Sequence, residues 1–216
     1  MSQRRVTRST VERLPLYLRA VATIEASGQT VVSSDQLAIA TGLSGDTVRR
    51  DIWSLHLTGV RGVGYEVEAL RTHMEKALGA TSGVRTAIVG VGNMGSALLN
   101  YKNLAQAGFR VVAAFDLDRQ KIGHALAGIT VQPAALVTEV CQRLGVEVGV
   151  VATPSNAAQE TLDKFAAAGV RAVLNFAPVA LRAPSGVVVR QMDVAKELQV
   201  LAYYVRLEDR LSAHLA

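Results

Sequence analysis

The sequence predicts two domains of different fold class, a small α+β domain over residues 1–80 and an α/β domain over residues 81–205. Three observations predict this division. Helical periodicity dominates up to about residue 78, a Gly-rich segment follows at residues 79–83, and short apolar runs then alternate with helical stretches. Apolar runs without polar alternation are typical of strands that are buried on both faces of a parallel sheet.

The first domain has the element order of a winged helix-turn-helix. Ser33 and Gln36 fit a capping box before the second helix, and Ser44 can cap the third. Residues 60–67 combine glycines with strand-forming residues, which predicts a β-hairpin after the third helix. The predicted helices cover residues 11–28, 35–40, 45–57 and 68–78.

The second domain carries the pattern G-x-G-x-x-G between its first predicted strand and the following helix. That context gives the pattern its meaning, because the pattern alone is a weak signal. The first glycine permits the tight turn, the second lets the backbone approach a pyrophosphate, and the third lets the helix pack on the strand. The helix start adds free N–H groups and a positive dipole end. We therefore expect a Rossmann-like dinucleotide-binding domain, with the turn formed by Gly90, Val91, Gly92, Asn93, Met94 and Gly95.

Two further segments of this domain are candidates for ligand contacts. Asp116 ends the second predicted strand about 20 residues after the turn, where a carboxylate can bind a ribose 2′-OH and repel a 2′-phosphate. Asp116 therefore favours NAD over NADP, although the nearby Arg119 keeps NADP open. Thr153 and Pro154 follow a strand at the carboxyl edge, so they either line the nicotinamide side or simply end that strand.

The third helix of the first domain is a candidate DNA-recognition helix. Behind Ser44 it carries Thr47, Arg49 and Arg50, and a recognition helix places its N-terminal residues against base edges in the major groove. Arg61 and Gly62 lie at the predicted hairpin tip, from which an arginine can enter the minor groove. A solvated basic face is the alternative interpretation.

Composition narrows the class of protein. The net charge of +5 agrees with nucleic-acid binding without requiring it, because basic enzymes are common. The only cysteine is Cys141, so we expect no intrachain disulfide and a reducing compartment. The N-terminus lacks the apolar core of a signal peptide, and no apolar run approaches the ~20 residues of a membrane helix. The expected location is the cytoplasm, without a membrane partner.

The sequence resembles the Rex family of bacterial redox-sensing repressors over nearly its full length. The resemblance lies in short stretches spread over both halves of the chain. They are RLPLYLR (residues 13–19), VRRD (48–51), RGVGY (61–65), VGVGNMG (89–95), FDLD (115–118), LNFAP (174–178) and Met192-Asp193.

The resemblance implies a homodimer that binds a near-palindromic operator in double-stranded DNA and dissociates when NADH binds. NADH and NAD+ are then regulatory ligands, and neither a catalytic residue nor a metal site is expected. The resemblance also implies a C-terminal helix near residues 207–215, so that residues 206–216 form a third segment exchanged between subunits. Arg13 and Asp193 match a family pair that links the DNA-binding domain to the nicotinamide pocket, and they are the expected switch pair.

Two departures and two alternatives accompany the resemblance. The segment WSLH (residues 53–56) stands where many members have SYFG, and Val194 stands where a larger apolar residue is usual. One alternative is an NAD-dependent oxidoreductase with an accessory N-terminal domain, which the four histidines do not support because they suggest no acid–base arrangement. The other is a DNA-binding regulator that reads an acyl-CoA or NADP.

Overall fold

The computed structural model describes residues 6–79 and 83–214, with side chains up to residue 207. The chain divides into two compact units, and the boundary falls between Ser82 and Gly83. In the described part, the elements of the first unit are α1 (Arg8–Ala26), β1 (Val31–Val32), α2 (Ser34–Thr41), α3 (Gly45–Ser54), β2 (Tyr65–Glu66) and α4 (Val67–Leu78).

Side-chain caps define the helix starts of the first unit. Ser33 and Gln36 form the predicted capping box before α2, and the Ser44 hydroxyl accepts a hydrogen bond from the Thr47 N–H at the start of α3. Gly42 ends α2 in the left-handed conformation. The helices then pack around a core of fully buried side chains, which includes Leu14, Tyr17, Val21, Leu37, Val48, Ile52, Leu70 and Met74.

The predicted hairpin over residues 60–67 is wrong in its pairing. Val60 and Gly64 form one antiparallel bridge that closes a tight loop, and β2 pairs with β1 instead. A Cβ at Gly64, where φ is +119°, would contact the Val32 carbonyl oxygen, so the loop packs closely on β1. Residues 60–64, called the wing below, therefore form a short closed loop, and the strand that follows it, β2, pairs with the distant β1.

His56 follows α3 in an unusual backbone conformation. The helix ends at Ser54 rather than near residue 57, and His56 has a φ of +61°. This is the left-handed region, which glycine adopts without the steric cost that a Cβ brings. His56 takes the position of the glycine in the SYFG pattern, so this departure changes the residue and keeps a backbone that suits glycine.

The second unit is an open α/β sheet of seven described strands in the order β5-β6-β4-β3-β7-β8-β9. Neighbouring strands pair in parallel, except that β5 is antiparallel to β6. The strands are β3 (Val84–Val89), β4 (Phe109–Asp116), β5 (Ala125–Leu126), β6 (Ile129–Pro133), β7 (Val148–Val151), β8 (Ala172–Asn175) and β9 (Val188–Gln191). The order reverses at β3, which lies between β4 and β7. In such sheets ligands bind at this switch point.

Helices pack against the strands of this sheet and enclose its core. They are α5 (Asn93–Leu99), α6 (Asn103–Gln106), α7 (Val137–Leu144) and α8 (Ser155–Ala167), with one 3-10 turn at Ala134–Leu136. A Cβ at Gly149 would lie 2.7 Å from the Phe165 ring, so α8 approaches β7 closely at this glycine. Cys141 is fully buried in the same core, and this burial raises the pKa of its thiol to about 12.

The C-terminal helix α9 (Val194–His214) is longer than the helix expected near residues 207–215. It begins after Asp193, whose carboxylate accepts a hydrogen bond from the Lys196 N–H, and no glycine or proline interrupts it. Residue 215 lies outside the described residues. Apolar and aromatic side chains on α9 are exposed, namely Val194, Leu198, Val200, Leu201, Tyr203, Tyr204 and Val205. None of the described helices is long and apolar enough to cross a membrane.

Candidate functional site

The glycine turn lies where β3 ends at the switch point. Gly90 has a φ of +94°, and its N–H donates to the carbonyl of Phe115 at 2.8 Å. A Cβ at this position would lie 2.5 Å from the carbonyl oxygen of Ala152. Gly90 is therefore confined between the ends of β4 and β7, where another residue would be strained and would clash.

The other two glycines of the turn differ in what surrounds them. A Cβ on Gly95 would collide with the carbonyl oxygen of Gly90, so α5 packs directly on the turn. A Cβ on Gly92 would meet no atom within 4 Å, and Gly92 is exposed at the start of α5. Asn93 and Met94 form the first turn of α5 and are also exposed. The turn therefore presents backbone to solvent at Gly92, as close approach of a pyrophosphate requires.

Asp116 is the last residue of β4, and its carboxylate is hydrogen-bonded to the glycine turn. Its Oδ2 accepts a hydrogen bond from the Val91 N–H at 2.7 Å, and its Oδ1 accepts one from the Asp118 N–H at 2.9 Å. Burial by itself raises the pKa of Asp116, but these N–H donors and the Lys121 ammonium outweigh burial, so that the pKa lies below its ordinary value. Asp116 is thus an ionised acceptor beside the glycine turn.

The sequence did not indicate Lys121 as a member of this site. Its Nζ lies 3.3 Å from Oδ2 of Asp116 and 3.8 Å from Oδ2 of Asp118. Arg119, the basic residue singled out by its proximity in sequence, is exposed. The contact of Lys121 with Asp116 arises from the turn after β4, which returns the chain toward the strand end.

Thr153 and Pro154 follow β7 on the other side of the turn. The Thr153 N atom would lie 2.9 Å from a Cβ at Gly90, so the two loops are in contact. The Thr153 hydroxyl oxygen is buried and has no hydrogen-bond partner among the described residues. A buried polar atom of this kind needs a partner, which a bound ligand can supply. The exposed Gly92, the Asp116 carboxylate and the Thr153 hydroxyl together fit a dinucleotide.

A network centred on Asn175 holds the loop after β8 at the same sheet edge. The fully buried Asn175 donates from Nδ2 to the carbonyl of Val179 at 2.9 Å and to Oε1 of Gln191 at 2.6 Å. Its Oδ1 accepts from the Ala177 N–H, and Gln191 Nε2 donates to the Ala177 carbonyl at 2.7 Å. Neither side chain was among the predicted site residues, although the LNFAP run contains Asn175.

The start of α3 presents the predicted DNA-contacting residues at the surface. Arg49 donates to Oδ1 of Asp46 at 2.6 Å, to Oδ1 of Asp35 at 3.4 Å and to the Ser34 hydroxyl at 3.0 Å. The Asp46 carboxylate first and the Asp35 carboxylate second raise the pKa of its guanidinium. Arg50 is exposed and donates to the backbone carbonyl of Asp46 at 3.3 Å. Thr47 is partly exposed in the first turn.

The wing presents the second predicted DNA contact. Arg61 is exposed, and Gly62 beside it has a φ of +79°. The carbonyl of Val60 accepts from the N–H groups of Val63 and Gly64, so the loop that carries Arg61 is tightly closed.

The two residues of the predicted switch pair lie in different units. Arg13 on α1 donates from Nε and Nη2 to the two carboxylate oxygens of Asp51, at 2.6 and 2.8 Å. Asp193 caps α9, as described above. Burial by itself raises the pKa of Asp51, but hydrogen bonds from Arg13, Tyr17 and Thr10 lower it by more, so that the net pKa is below its ordinary value. Arg13 is therefore anchored on α3.

No cluster of three or more potential metal ligands occurs among the side chains that the structure describes. The candidate sites described above consist of backbone N–H groups, hydroxyls, guanidiniums and carboxylates, which recognise phosphates, sugars and charged groups.

Known proteins resemble this chain in both units and over nearly its whole length. The family model of the CoA binding domain matches residues 81–179, and the model described as putative DNA-binding protein N-terminus matches residues 5–52. The redox-sensing transcriptional repressor Rex of Streptomyces coelicolor is 45% identical over 201 residues, which are 93% of this chain and 78% of that protein.

Solved structures of a Rex-family repressor named RSP have the same fold. RSP in complex with β-NAD+ and operator DNA is 27% identical and has a TM-score of 0.90, with 97% of this chain and 96% of that chain covered. RSP in complex with β-NADH has a TM-score of 0.84 at 27% identity, with 98% of this chain and 99% of that chain covered.

Proposed function

Because the chain belongs to the Rex family of redox-sensing transcriptional repressors, we propose that it binds operator DNA as a homodimer and leaves that DNA when NADH binds. One observation carries the proposal: the same chain holds a glycine turn that is open at Gly92 and a capped helix that presents Arg50 at the surface. RSP, which has this fold, was solved with NADH and with NAD+ plus operator DNA.

The proposed ligand site lies at the carboxyl edge of the sheet. The turn from Gly90 to Gly95 binds the pyrophosphate, Asp116 accepts from a ribose hydroxyl, and Thr153 with Pro154 borders the nicotinamide. The ligand supplies a nicotinamide that is cationic in NAD+ and neutral in NADH. The protein responds to this difference only if its two conformations bind the two forms with different affinity.

The proposed DNA contacts come from α3 and the wing. Ser44 and Thr47 lie at the helix start, where hydroxyls reach phosphates or bases. Arg50 is a stronger candidate for a base contact than Arg49, because Arg49 is already paired with two carboxylates. Arg61 and Gly62 in the wing enter or border the minor groove.

The proposed dimer uses the C-terminal helix. Exposed apolar side chains on α9, such as Leu198 and Leu201, need a partner surface, and a second copy of the chain is the usual one. We assign residues 1–80 to DNA binding, residues 81–205 to the dinucleotide, and residues 206–216 to a segment exchanged between subunits. Arg13 and Asp193 then form the switch pair that links a DNA-binding domain to a nicotinamide pocket.

Release from DNA sets an energetic requirement on this switch. Shifting a population from mostly bound to mostly released needs about 5.5 kcal/mol of differential affinity, which two ligand sites in a dimer share. Linkage is reciprocal, so operator DNA must weaken NADH binding by the same factor. A repressor of this kind works where the DNA is, which in a bacterium is the cytoplasm.

An electrophoretic shift on a near-palindromic operator duplex tests the proposal directly. The complex is expected to persist with NAD+ and to disappear on titration with NADH, whereas a scrambled duplex gives no specific complex. NADPH serves as the matched nucleotide control. A complex that survives saturating NADH as well as it survives buffer contradicts the proposal.

The two alternatives have their own readouts. An NAD-dependent oxidoreductase would oxidise NADH steadily with a panel of aldehydes or oxidise hydroxy acids with NAD+, followed at the nicotinamide absorbance band; we propose that the chain is no enzyme and expect no turnover. The match to the CoA binding domain model motivates calorimetry with acyl-CoA esters. We expect tight binding of NADH, weaker binding of NAD+, and poor binding of NADPH and CoA esters.

A further inference from the structure

A buried carboxylate on the recognition helix gathers four hydrogen bonds from α1. Asp51 is 4% exposed, and its oxygens accept from Thr10 Oγ1 at 2.9 Å, from Tyr17 OH at 2.7 Å, and from Nε and Nη2 of Arg13. A carboxylate offers about four lone-pair sites. Asp51 is therefore saturated by donors that all come from one face of α1.

Arg13 uses only one edge of its guanidinium in this contact. The side chain of Arg13 is 26% exposed, against 5% for Asp51, and the structure gives its Nη1 no hydrogen-bond partner among the described residues. A guanidinium carries five N–H donors in a planar fork, so a second carboxylate can bind the other edge while the first stays in place.

Removal of Arg13 from Asp51 is unfavourable. It would leave a buried charge with two hydroxyl donors and no counter-ion, which is a strongly destabilising arrangement. A second carboxylate that docks on Arg13 is therefore added to the Asp51 contact and does not replace it. A displacement of Arg13 must then act on α3, the helix that carries Thr47, Arg49 and Arg50.

We infer that Asp51 is a positioning residue for the switch: it fixes Arg13 to the recognition helix, leaves the outer edge of the guanidinium for a second carboxylate, and transmits the movement of Arg13 to α3. The inference rests on the proposed NADH-dependent release from operator DNA. It adds a connection within the first unit, between Arg13 and α3, the helix proposed to contact bases.

The test compares Asp51→Asn with Tyr17→Phe in the full-length chain. Asp51→Asn removes the charge that holds Arg13, whereas Tyr17→Phe removes one hydrogen bond to the same carboxylate and leaves both Arg13 contacts. Operator affinity is measured by fluorescence anisotropy with NAD+ and with NADH. We expect the ratio of the two affinities to shrink by about tenfold or more in Asp51→Asn, within the range of allosteric coupling energies, and to stay unchanged in Tyr17→Phe.

A purely structural role for Asp51 gives a different result. Operator affinity then falls by the same factor with either nucleotide, and the ratio stays at its wild-type value, which overturns the inference. Arg13→Lys provides a second variant in case Asp51→Asn does not fold, because lysine keeps the charge and cannot bind both carboxylate oxygens as a planar fork. We expect its ratio to shrink as well, and an unchanged ratio in Arg13→Lys also counts against the inference.

A measurement without DNA or nucleotide separates this inference from the proposed function. In the wild-type protein the Arg13 Nε–H should exchange slowly with solvent by NMR, since it donates to buried Asp51. Fast exchange overturns the inference whatever NADH does. Slow exchange together with equal operator affinity in NADH and NAD+ contradicts the proposed function, and with it the transmission step. A wild-type response to NADH with an unchanged ratio in Asp51→Asn contradicts the inference alone.

Discussion

The ammonium of Lys121 lies 3.3 Å from Oδ2 of Asp116, so the carboxylate proposed to select NAD over NADP has a cation beside it. This cation partly offsets the repulsion between Asp116 and a 2′-phosphate. Lys121→Gln should therefore weaken binding of NADPH more than binding of NADH, and so widen the preference for NADH by several-fold. Calorimetry with both nucleotides measures this preference.

Arg119→Gln is the matched control for Lys121→Gln, because it removes the same charge from an exposed residue of the same turn. We expect this variant to leave the NADH to NADPH ratio near the wild-type value. A large change in Arg119→Gln with none in Lys121→Gln would show that the contact to Asp116 does not set the specificity.

Substitutions in the glycine turn can separate an effect on NADH binding from an effect on the free energy of unfolding. A Cβ at Gly92 would meet no atom within 4 Å, whereas a Cβ at Gly95 would collide with the Gly90 carbonyl. Gly92→Ala should change the free energy of unfolding by less than about 0.5–1 kcal/mol and weaken NADH binding at least about tenfold, because the methyl group occupies the approach of the pyrophosphate. Thermal melts and NADH titration give the two readouts.

Gly95→Ala is the counterpart that should lower the free energy of unfolding. Relief of the clash requires α5 to move away from the turn, so we expect a loss of about 3 kcal/mol or more in stability. If Gly92→Ala bound NADH as well as the wild-type protein, the pyrophosphate would have to lie elsewhere.

A substitution at His56 tests how its backbone conformation affects the free energy of unfolding of the first unit. Its φ of +61° suits glycine, so His56→Gly should stabilise the first unit by about 0.5–1 kcal/mol, the steric gain being partly offset by a more flexible unfolded chain. Gly42→Ala is a control of opposite sign, since Gly42 has a φ of +69° and an alanine there should destabilise by about 1 kcal/mol. Trp53 is the only tryptophan and lies on α3, so its fluorescence in denaturant follows this unit. Destabilisation by His56→Gly would mean that the histidine ring makes compensating contacts.

Sequence patterns predicted the elements whose signals are local. The short apolar runs that predicted a parallel sheet include the central strands β3, β4, β7 and β8, because uninterrupted apolar runs are typical of strands buried on both faces. Strand β6 alternates polar and apolar residues and β5 has two residues, so neither gives that signal.

Contacts between distant segments could not be predicted in the same way. The pairing of β2 with β1 depends on a strand far back in the chain. The hydrogen bonds of Asp51 with Thr10, Arg13 and Tyr17 depend on how α1 packs on α3. Lys121 comes near Asp116 only through the shape of a turn. The predicted helix over residues 11–28 includes Arg13 and Tyr17, but the sequence did not indicate the carboxylate that both share with Thr10.

The loop after β8 should control how long the nucleotide stays bound. Gln191→Leu removes the donor to Ala177 and the acceptor for Asn175, which frees the loop at the sheet edge. We expect NADH to dissociate several-fold faster in stopped-flow fluorescence, with a loss of stability of only about 1 kcal/mol, because Asn175 retains its other bonds. Gln142→Leu on the exposed surface of α7 is the control. Equal dissociation rates in all three proteins would exclude a role for the loop.

The hydrogen bonds that Asp51 accepts from Thr10, Arg13 and Tyr17 also predict how the stability of the first unit depends on pH in acid. The pKa of Asp51 in the folded chain lies below its ordinary value of 3.8, so its ion pair contributes stability above about pH 4 and loses that contribution as pH falls through the folded pKa. The difference in unfolding free energy between the wild-type protein and Asp51→Asn should therefore be constant from about pH 5 to 8 and shrink below about pH 4. Urea titrations monitored by Trp53 fluorescence at pH 7, 5 and 3 measure it. Burial raises the pKa of the Tyr17 phenol, so its contribution is present below pH 10 and is lost only as alkali ionises it. A difference that stayed constant down to pH 3 would mean that the Asp51 charge does not stabilise the fold.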